Sequence, residues 1–249
     1  MNKYAVVNLF FWVAAAGGQR VAPKRHRKLG ILKIMVLYCQ GILFDLDGVL
    51  VDSIQAVERV WLAWARENDL DPALVIEHAH GRRTIETVRL VAPHLDAERE
   101  DAKVEAMEIV DGEGVKAIAG AALLLASLPP DRYLIVTSAS EALARARMGF
   151  AALAMPSRFV TADQVSHGKP HPEPYLKGAK RLGFSAQDCI VFEDTAAGIQ
   201  SAKAAGTKVV GLTTTYPASA LNGANVILKD LSGIKVQLEN GSLKLTLPE

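Results

Sequence analysis

Two carboxylates two residues apart, Asp45 and Asp47, close an apolar run and are followed at once by Gly48. Residues i and i+2 of an extended chain point to the same side, so both acids face one site. Gly48 lets the backbone turn sharply and come close to a ligand. Two acids so near each other repel unless a cation lies between them. A hard cation with oxygen ligands, most simply Mg²⁺, resolves the conflict. A bare Asp-x-Asp-Gly also suits a solvated turn. The setting argues otherwise, with the apolar run 34–44 before it and Val49-Leu50-Val51 after it.

Three further stretches carry groups of the same kind. Thr137-Ser138 offers hydroxyls after the apolar run 133–136, and Glu193-Asp194 offers acids after the run 189–192. Lys169 lies in Ser-His-Gly-Lys-Pro-His-Pro-Glu-Pro, where the prolines at 170, 172 and 174 stiffen the loop. Each has an ordinary structural reading: the hydroxyls and the second acid pair can cap helices, and a lone lysine is usually solvated. His167 and His171 read as polar loop groups and not as ligands. Taken together, acids, a hydroxyl and a lysine at strand ends suit a phosphate ester bound with Mg²⁺. The metal would offset the carboxylates while Lys169 and Ser138 hold phosphoryl oxygens.

The elements that must position these groups are legible as periodicity. The run 34–44 reads as one strand of a parallel sheet, buried on both faces. Val57, Val60, Trp61 and Trp64 recur at helical spacing over 54–68, with Ser53 placed to cap the start. Asp71-Pro72 opens a second helix, and 84–91 and 96–110 read as two more. The polar break His80-Gly81-Arg82-Arg83-Thr84 lies among them. Residues 54–113 thus form an all-helical block. Strands and helices then alternate from 120 to 228, which implies right-handed crossovers and a parallel sheet. Asn240-Gly241 between alternating runs is a type I′ hairpin signal. The block follows the first strand directly, so it is expected over the sheet's C-terminal edge, where α/β sheets bind ligands.

Composition narrows the function classes. Of the 249 residues half are hydrophobic and 22% are charged, which suits a chain with a large core. The net charge of +1 is uneven. Residues 1–34 carry seven bases and no acid, leaving 21 of the 28 bases against all 27 acids. That acidic body argues against a nucleic-acid binder. Cys39 and Cys189 both lie in apolar runs and read as small buried hydrophobes, as in a reducing compartment.

The order and spacing of the four stretches resemble those of the haloacid-dehalogenase-like (HAD) hydrolases over residues 35 to about 230. Asp45 and Asp47 match the first motif of that family, Ser138 the second, Lys169 the third and Glu193-Asp194 the fourth. The resemblance implies a HAD-like Rossmannoid α/β core (35–53 and 114–249) with an inserted all-helical cap of the C1 type (54–113). It implies that Asp45 is the nucleophile of an aspartyl-phosphate. Asp47 would be the general acid and then the base. Asp45, the main-chain oxygen of Asp47, and Asp194 would hold Mg²⁺, with Glu193 behind them. Ser138, Ala139 and Lys169 would bind the phosphate, and His80, Gly81, Arg82 and Arg83 in the cap would set specificity. The stretches 168–178 and 192–198, with 56–59, Trp61 and Trp64, resemble the bacterial sugar and polyol phosphatases in particular. Thr195 departs from the alanine usual there, a change that a helix start should tolerate.

The implied activity is Mg²⁺-dependent hydrolysis of small sugar or polyol phosphates. A β-phosphoglucomutase-like phosphotransferase shares all four motifs, but its cap histidine would fall near Val57, which has no proton to give. A 2-haloacid dehalogenase does not need Asp47. A silent binding domain has no need of the full set Asp45, Asp47, Lys169 and Asp194. The expected state is a cytoplasmic monomer whose partner is a small phosphorylated metabolite, with no nucleic acid and no membrane.

The first 34 residues stand apart. Residues 4–16 form an apolar run too short to span a bilayer comfortably. Followed by Ala14-Ala15-Ala16-Gly17, this run resembles a secretory signal. The simpler reading is an over-extended start, because all the motifs lie downstream of Met35. A chain begun at Met35 is therefore expected to fold and to turn over substrate. An insoluble or inactive product in expression and activity assays would make residues 1–34 structural.

Overall fold

The computed structural model describes residues 35–248; the readings of residues 1–34 lie outside them. The chain opens with β1 (Met35–Cys39), β2 (Gly41–Phe44) and the two-residue β3 (Val51–Asp52). Four helices follow: α1 (Ile54–Glu67), α2 (Pro72–Ala79), α3 (Thr84–Val91) and α4 (Ala97–Val110). Next come β4 (Lys116–Ala117), α5 (Ala121–Ser127), β5 (Tyr133–Val136), α6 (Glu141–Phe150) and β6 (Phe159–Val160). After these come α7 (Glu173–Leu182), β7 (Cys189–Glu193), α8 (Ala196–Ala204), β8 (Lys208–Leu212) and β9 (Val226–Leu228). The hairpin of β10 (Lys235–Glu239) and β11 (Ser242–Leu247) ends the described chain.

Six strands form a parallel sheet in the order β6-β5-β2-β7-β8-β9. Its strands are buried on both faces, so alternate residues enter different cores. Ile42, Phe44, Ile135, Ile190 and Phe192 join one apolar cluster, while Leu43, Leu134, Val136 and Val191 join another. The register sets Phe44 opposite both Ile135 and Phe192. The strands therefore end within a residue of each other: Asp45 emerges level with Glu193, and Thr137 one residue beyond.

The expected single strand over 34–44 is two. Gln40 interrupts it: its side chain donates to Ser242 Oγ at 2.9 Å and its carbonyl accepts from Arg132 at 3.1 Å. Only β2 enters the parallel sheet. The β1 strand pairs antiparallel with β11, and Met35, Val36 and Tyr38 are exposed there. Gly41 packs against Leu182 and Phe184 so closely that a Cβ would lie 2.9–3.0 Å from them. The Asn240-Gly241 signal holds, since both residues have positive φ at the β10–β11 turn.

The helices α1–α4 enclose an apolar cluster of their own, with Val60, Trp61, Trp64, Val75, Val88 and Val104. Trp61 and Trp64 meet edge to face at 5.3 Å. The β3 and β4 strands pair antiparallel where the chain leaves and rejoins the sheet, a contact too short to show as periodicity. Asp71 and Asp96 cap α2 and α4 through their side chains. Arg59 grips the end of α4 through both Asp111 oxygens at 2.7 and 3.0 Å.

One polar contact in this block is buried: Trp64 Nε1 donates to Glu100 Oε2 at 2.8 Å. Trp64→Phe would strand that carboxylate, and an unsatisfied buried acceptor costs about 1–3 kcal/mol. Urea denaturation should show a loss of that size. An unchanged midpoint would mean that Glu100 finds water.

Candidate active site

The C-terminal edge of the parallel sheet gathers the titratable groups. Asp45 follows β2 and its N–H donates to Phe192 O at 3.0 Å, which sets it beside Glu193. Lys169 is 1% exposed and bridges the two, with Nζ 2.8 Å from Asp45 Oδ1 and 2.7 Å from Glu193 Oε1. Tyr175 on α7 also donates to Glu193 Oε1, at 2.7 Å. The other oxygen, Oε2, accepts from the N–H groups of Asp194 and Thr195 and from Thr195 Oγ1 at 3.0–3.1 Å. Glu193 is thus fully engaged. Asp194 is not: Oδ2 accepts from Thr215 Oγ1, while the buried Oδ1 finds no partner among the described residues.

These contacts decide the titration of the group. Burial pushes Asp45 up to about 7, with Lys169 pulling the other way and Glu193 adding to the rise. Burial also raises Asp194 well above the carboxylate range, reinforced by Glu193 and Asp45. Burial alone would raise Glu193 as well, but Lys169 outweighs it and holds that carboxyl below its usual value. Lys169 follows the same logic. Burial works against its charge, yet Asp45 and Glu193 keep it above the ordinary lysine value.

The donor set fits a hard divalent cation. Asp45, Glu193 and Asp194 each bring an oxygen within 4.8 Å of the others. With Glu193 engaged, Asp45 and the unpartnered Oδ1 of Asp194 are the side-chain oxygens left to bind it. Gly48 makes room for Asp194. Its φ is +78°, and a Cβ there would fall 1.9 Å from Asp194 Oδ2.

Asp47 lies on the open side of this group. Its Oδ1 accepts from Ser53 Oγ at 2.5 Å and lies 3.4 Å from Arg147 Nε. Ser53 stands at the N-cap position of α1 but makes no cap bond there, because Asp47 takes its hydroxyl. The helix caps beside the other motifs belong to neighbours as well. Ser140 caps α6 and Thr195 caps α8, so Ser138, Glu193 and Asp194 take no part in capping.

One cavity is lined by Asp45, Asp47, Asp194, Ser138, Ala139 and, from the helical block, His80-Gly81-Arg82. Ser138 Oγ donates to Gly81 O at 3.2 Å, and Ala139 N–H donates to Thr137 Oγ1 at 3.0 Å. Gly81 has φ +78° and presses on Thr195, where a Cβ would meet Oγ1 at 2.8 Å. Burial holds His80 below the usual histidine value, against the pull of Glu58. Lys169 lies behind Asp45 and does not line this cavity. Arg83 is turned elsewhere: its guanidinium is bound to Glu86 and faces the carbonyls of Val165 and Ser166 at 3.3 Å. His167 and His171 stay in their loop, where Glu173 binds the N–H groups of Ser166 and His167.

Sequence reasoning missed Arg147, Glu108, Thr215 and Tyr175. Arg147 follows Leu143 by four residues and Ala144 by three, so a base sits on the buried face of α6. Glu108 follows Val104 by four on the buried face of α4. A charge at a core position of an amphipathic helix was the available signal. Burial pushes Glu108 up to about 7, with Arg147 pulling it down.

Comparison with known proteins bears on the family of the chain. Residues 39–206 match the family model described as haloacid dehalogenase-like hydrolase. Hexitol phosphatase A of Escherichia coli is 42% identical over 203 residues, covering 80% of this chain and 94% of that protein. Glycerol-1-phosphate phosphohydrolase 2 of Saccharomyces cerevisiae is 34% identical over 218 residues, covering 82% and 87%. Among solved structures, a hydrolase from Pseudomonas syringae superposes with a TM-score of 0.71 at 25% identity, covering 78% of this chain and 94% of that one.

Lys169→Met would leave Asp45 and Glu193 buried without their cation. Breaking a buried pair in this way costs about 3–5 kcal/mol. A matching drop in the urea midpoint is expected, whereas an unchanged midpoint would mean that the two acids are satisfied without Lys169.

Proposed function

The chain belongs to the haloacid dehalogenase-like hydrolases, and we propose that it hydrolyses small sugar or polyol phosphate monoesters with Mg²⁺ through an aspartyl-phosphate. The observation that carries this reading is Asp45 and Asp47 facing one cavity, with Lys169, Glu193 and Asp194 buried beneath them. The names of the similar enzymes, hexitol phosphatase and glycerol-1-phosphate phosphohydrolase, favour polyol esters. A cytoplasmic monomer built of a sheet core and a helical cap over 54–113 belongs to the same reading. No helix among the described residues is long and apolar enough to cross a membrane.

In this reading Lys169 keeps Asp45 oriented and favours its charged form, since its ammonium lies 2.8 Å from the Asp45 carboxylate. An Asp45 oxygen attacks phosphorus, forming the acyl phosphate as the ester P–O bond breaks. Asp47, held by Ser53, gives its proton to the departing alkoxide. Asp47 then takes a proton from water as that water attacks the acyl phosphate, releasing orthophosphate and restoring Asp45. Asp45, the main-chain oxygen of Asp47, and Asp194 would hold Mg²⁺, which when bound offsets the carboxylates and draws charge from the phosphoryl oxygens. Ser138 and the Ala139 N–H would exchange Gly81 O and Thr137 Oγ1 for those oxygens, and Arg82 would meet the rest of the substrate.

The phosphotransferase alternative gains nothing from the site. Val57 lines the cavity where a mutase needs a proton-bearing side chain. A panel of phosphate monoesters assayed with and without Mg²⁺ tests the proposal. Asp45→Asn should abolish orthophosphate release, because an amide does not attack phosphorus. Asp47→Asn should lower kcat by about 10²–10⁴, the usual worth of acid–base help. Near-normal turnover by Asp45→Asn would sink the mechanism.

A further inference from the structure

Arg147 is only 1% exposed, and the reaction as written gives its guanidinium no task. It projects from α6 and lines the same cavity as Asp47 and Glu108. Its Nε lies 3.4 Å from Asp47 Oδ1, and its Nη2 lies 3.4 Å from Glu108 Oε1. Charge-assisted bonds of this kind close to about 2.7–2.9 Å. These contacts stay open, and Nε and Nη1 have no hydrogen-bond acceptor among the described residues. Buried donors normally have one. Glu108 is itself only 4% exposed and comes from α4, across the cavity from the sheet.

We infer that Arg147 and Glu108 read the hydroxyl groups of the leaving alcohol and select a neutral polyhydroxylated chain. The inference rests on the phosphatase reading, in which Asp47 meets the leaving oxygen. Arg147 touches Asp47, so it lies beside the first carbons of that alcohol. A hydroxyl both donates and accepts. The guanidinium supplies donors and the carboxyl supplies an acceptor, so the pair suits a carbon chain bearing hydroxyls. Val57, Trp61 and Ile54 line the same cavity and can cover the C–H faces of the chain. A second phosphate would gain the Arg147 donors but would meet Asp47 and Glu108. An apolar alcohol would leave the buried donors unpaired. A site built to bond a hydroxyl rejects the analogue that lacks it far more strongly than an apolar pocket rejects an extra one.

The test uses the full chain with Mg²⁺ and two esters of equal length, a hexitol 6-phosphate and n-hexyl phosphate. Wild-type kcat/KM should favour the hexitol ester by at least about tenfold, as a site that bonds hydroxyls requires. Arg147→Met and Glu108→Gln should each cut that ratio by about tenfold, one bond to a charged group, acting mainly on KM for the hexitol ester. Arg147→Lys should fall between, and Tm is followed for each variant. A wild-type ratio near one overturns the inference while the phosphatase reading stands. So does an unchanged ratio in folded Arg147→Met or Glu108→Gln. The wild-type ratio decides alone if neither variant folds. No orthophosphate from any monoester would remove the phosphatase reading and this inference with it.

Discussion

Three carboxylates and one ammonium are gathered at one sheet edge and held almost wholly out of solvent. Asp45, Glu193 and Asp194 are 0–4% exposed, and Lys169 is 1% exposed. Burial disfavours every one of these charges. Lys169 resolves two of the acids by lying between Asp45 and Glu193. Tyr175 and two backbone N–H groups complete Glu193, which makes it the fixed point of the cluster. Asp194 is left with an open oxygen beside Asp45, and the surplus negative charge falls on that side. A divalent cation is the economical remedy. The fold provides for this imbalance: parallel strands ending level bring the acids together, and a proline-stiffened loop carries Lys169 beneath them.

The helical block supplies what the sheet lacks, a second wall. Its apolar cluster is separate from the two that flank the sheet, apart from Ala56 at the start of α1. Its contacts near the sheet edge are polar: Ser138 to Gly81, Arg83 toward Val165 and Ser166, and Ser140 to Glu105. Each such bond contributes about 0.5–1.5 kcal/mol net. Gly81 comes close to the sheet edge, and a side chain there would strike Thr195.

Much of this was legible in the sequence. The strands β2, β5 and β7 are short apolar runs ending in acids or hydroxyls, and such runs in alternation with helices imply a parallel sheet. In the block, α1 follows from its 3.6 period and α2 from Asp71-Pro72 at its start. What periodicity could not separate was β1 from β2, because Met35, Val36 and Tyr38 are apolar letters on an exposed strand. Gln40 was the one polar mark at the break. Ser53 was misread because a serine before a helix normally caps it, whereas here Asp47 lies within 2.5 Å and takes the hydroxyl. Pair contacts such as Thr215 to Asp194 join positions 21 residues apart, and no local pattern announces them.

Arg147 and Glu108 show a different limit. Each occupies a core position of an otherwise ordinary helix, where an apolar residue would pack at less cost. A buried ion pair contributes little to stability against such a replacement. Stability therefore does not account for both being there. They meet from separate elements, α6 beside the sheet and α4 in the block, at the wall of the cavity that holds Asp47. A charged pair whose members come from two elements, with guanidinium donors unpaired among the described residues, answers to something that enters the cavity beside them. The residues that break the folding pattern of their own helices are thus the ones that describe the substrate.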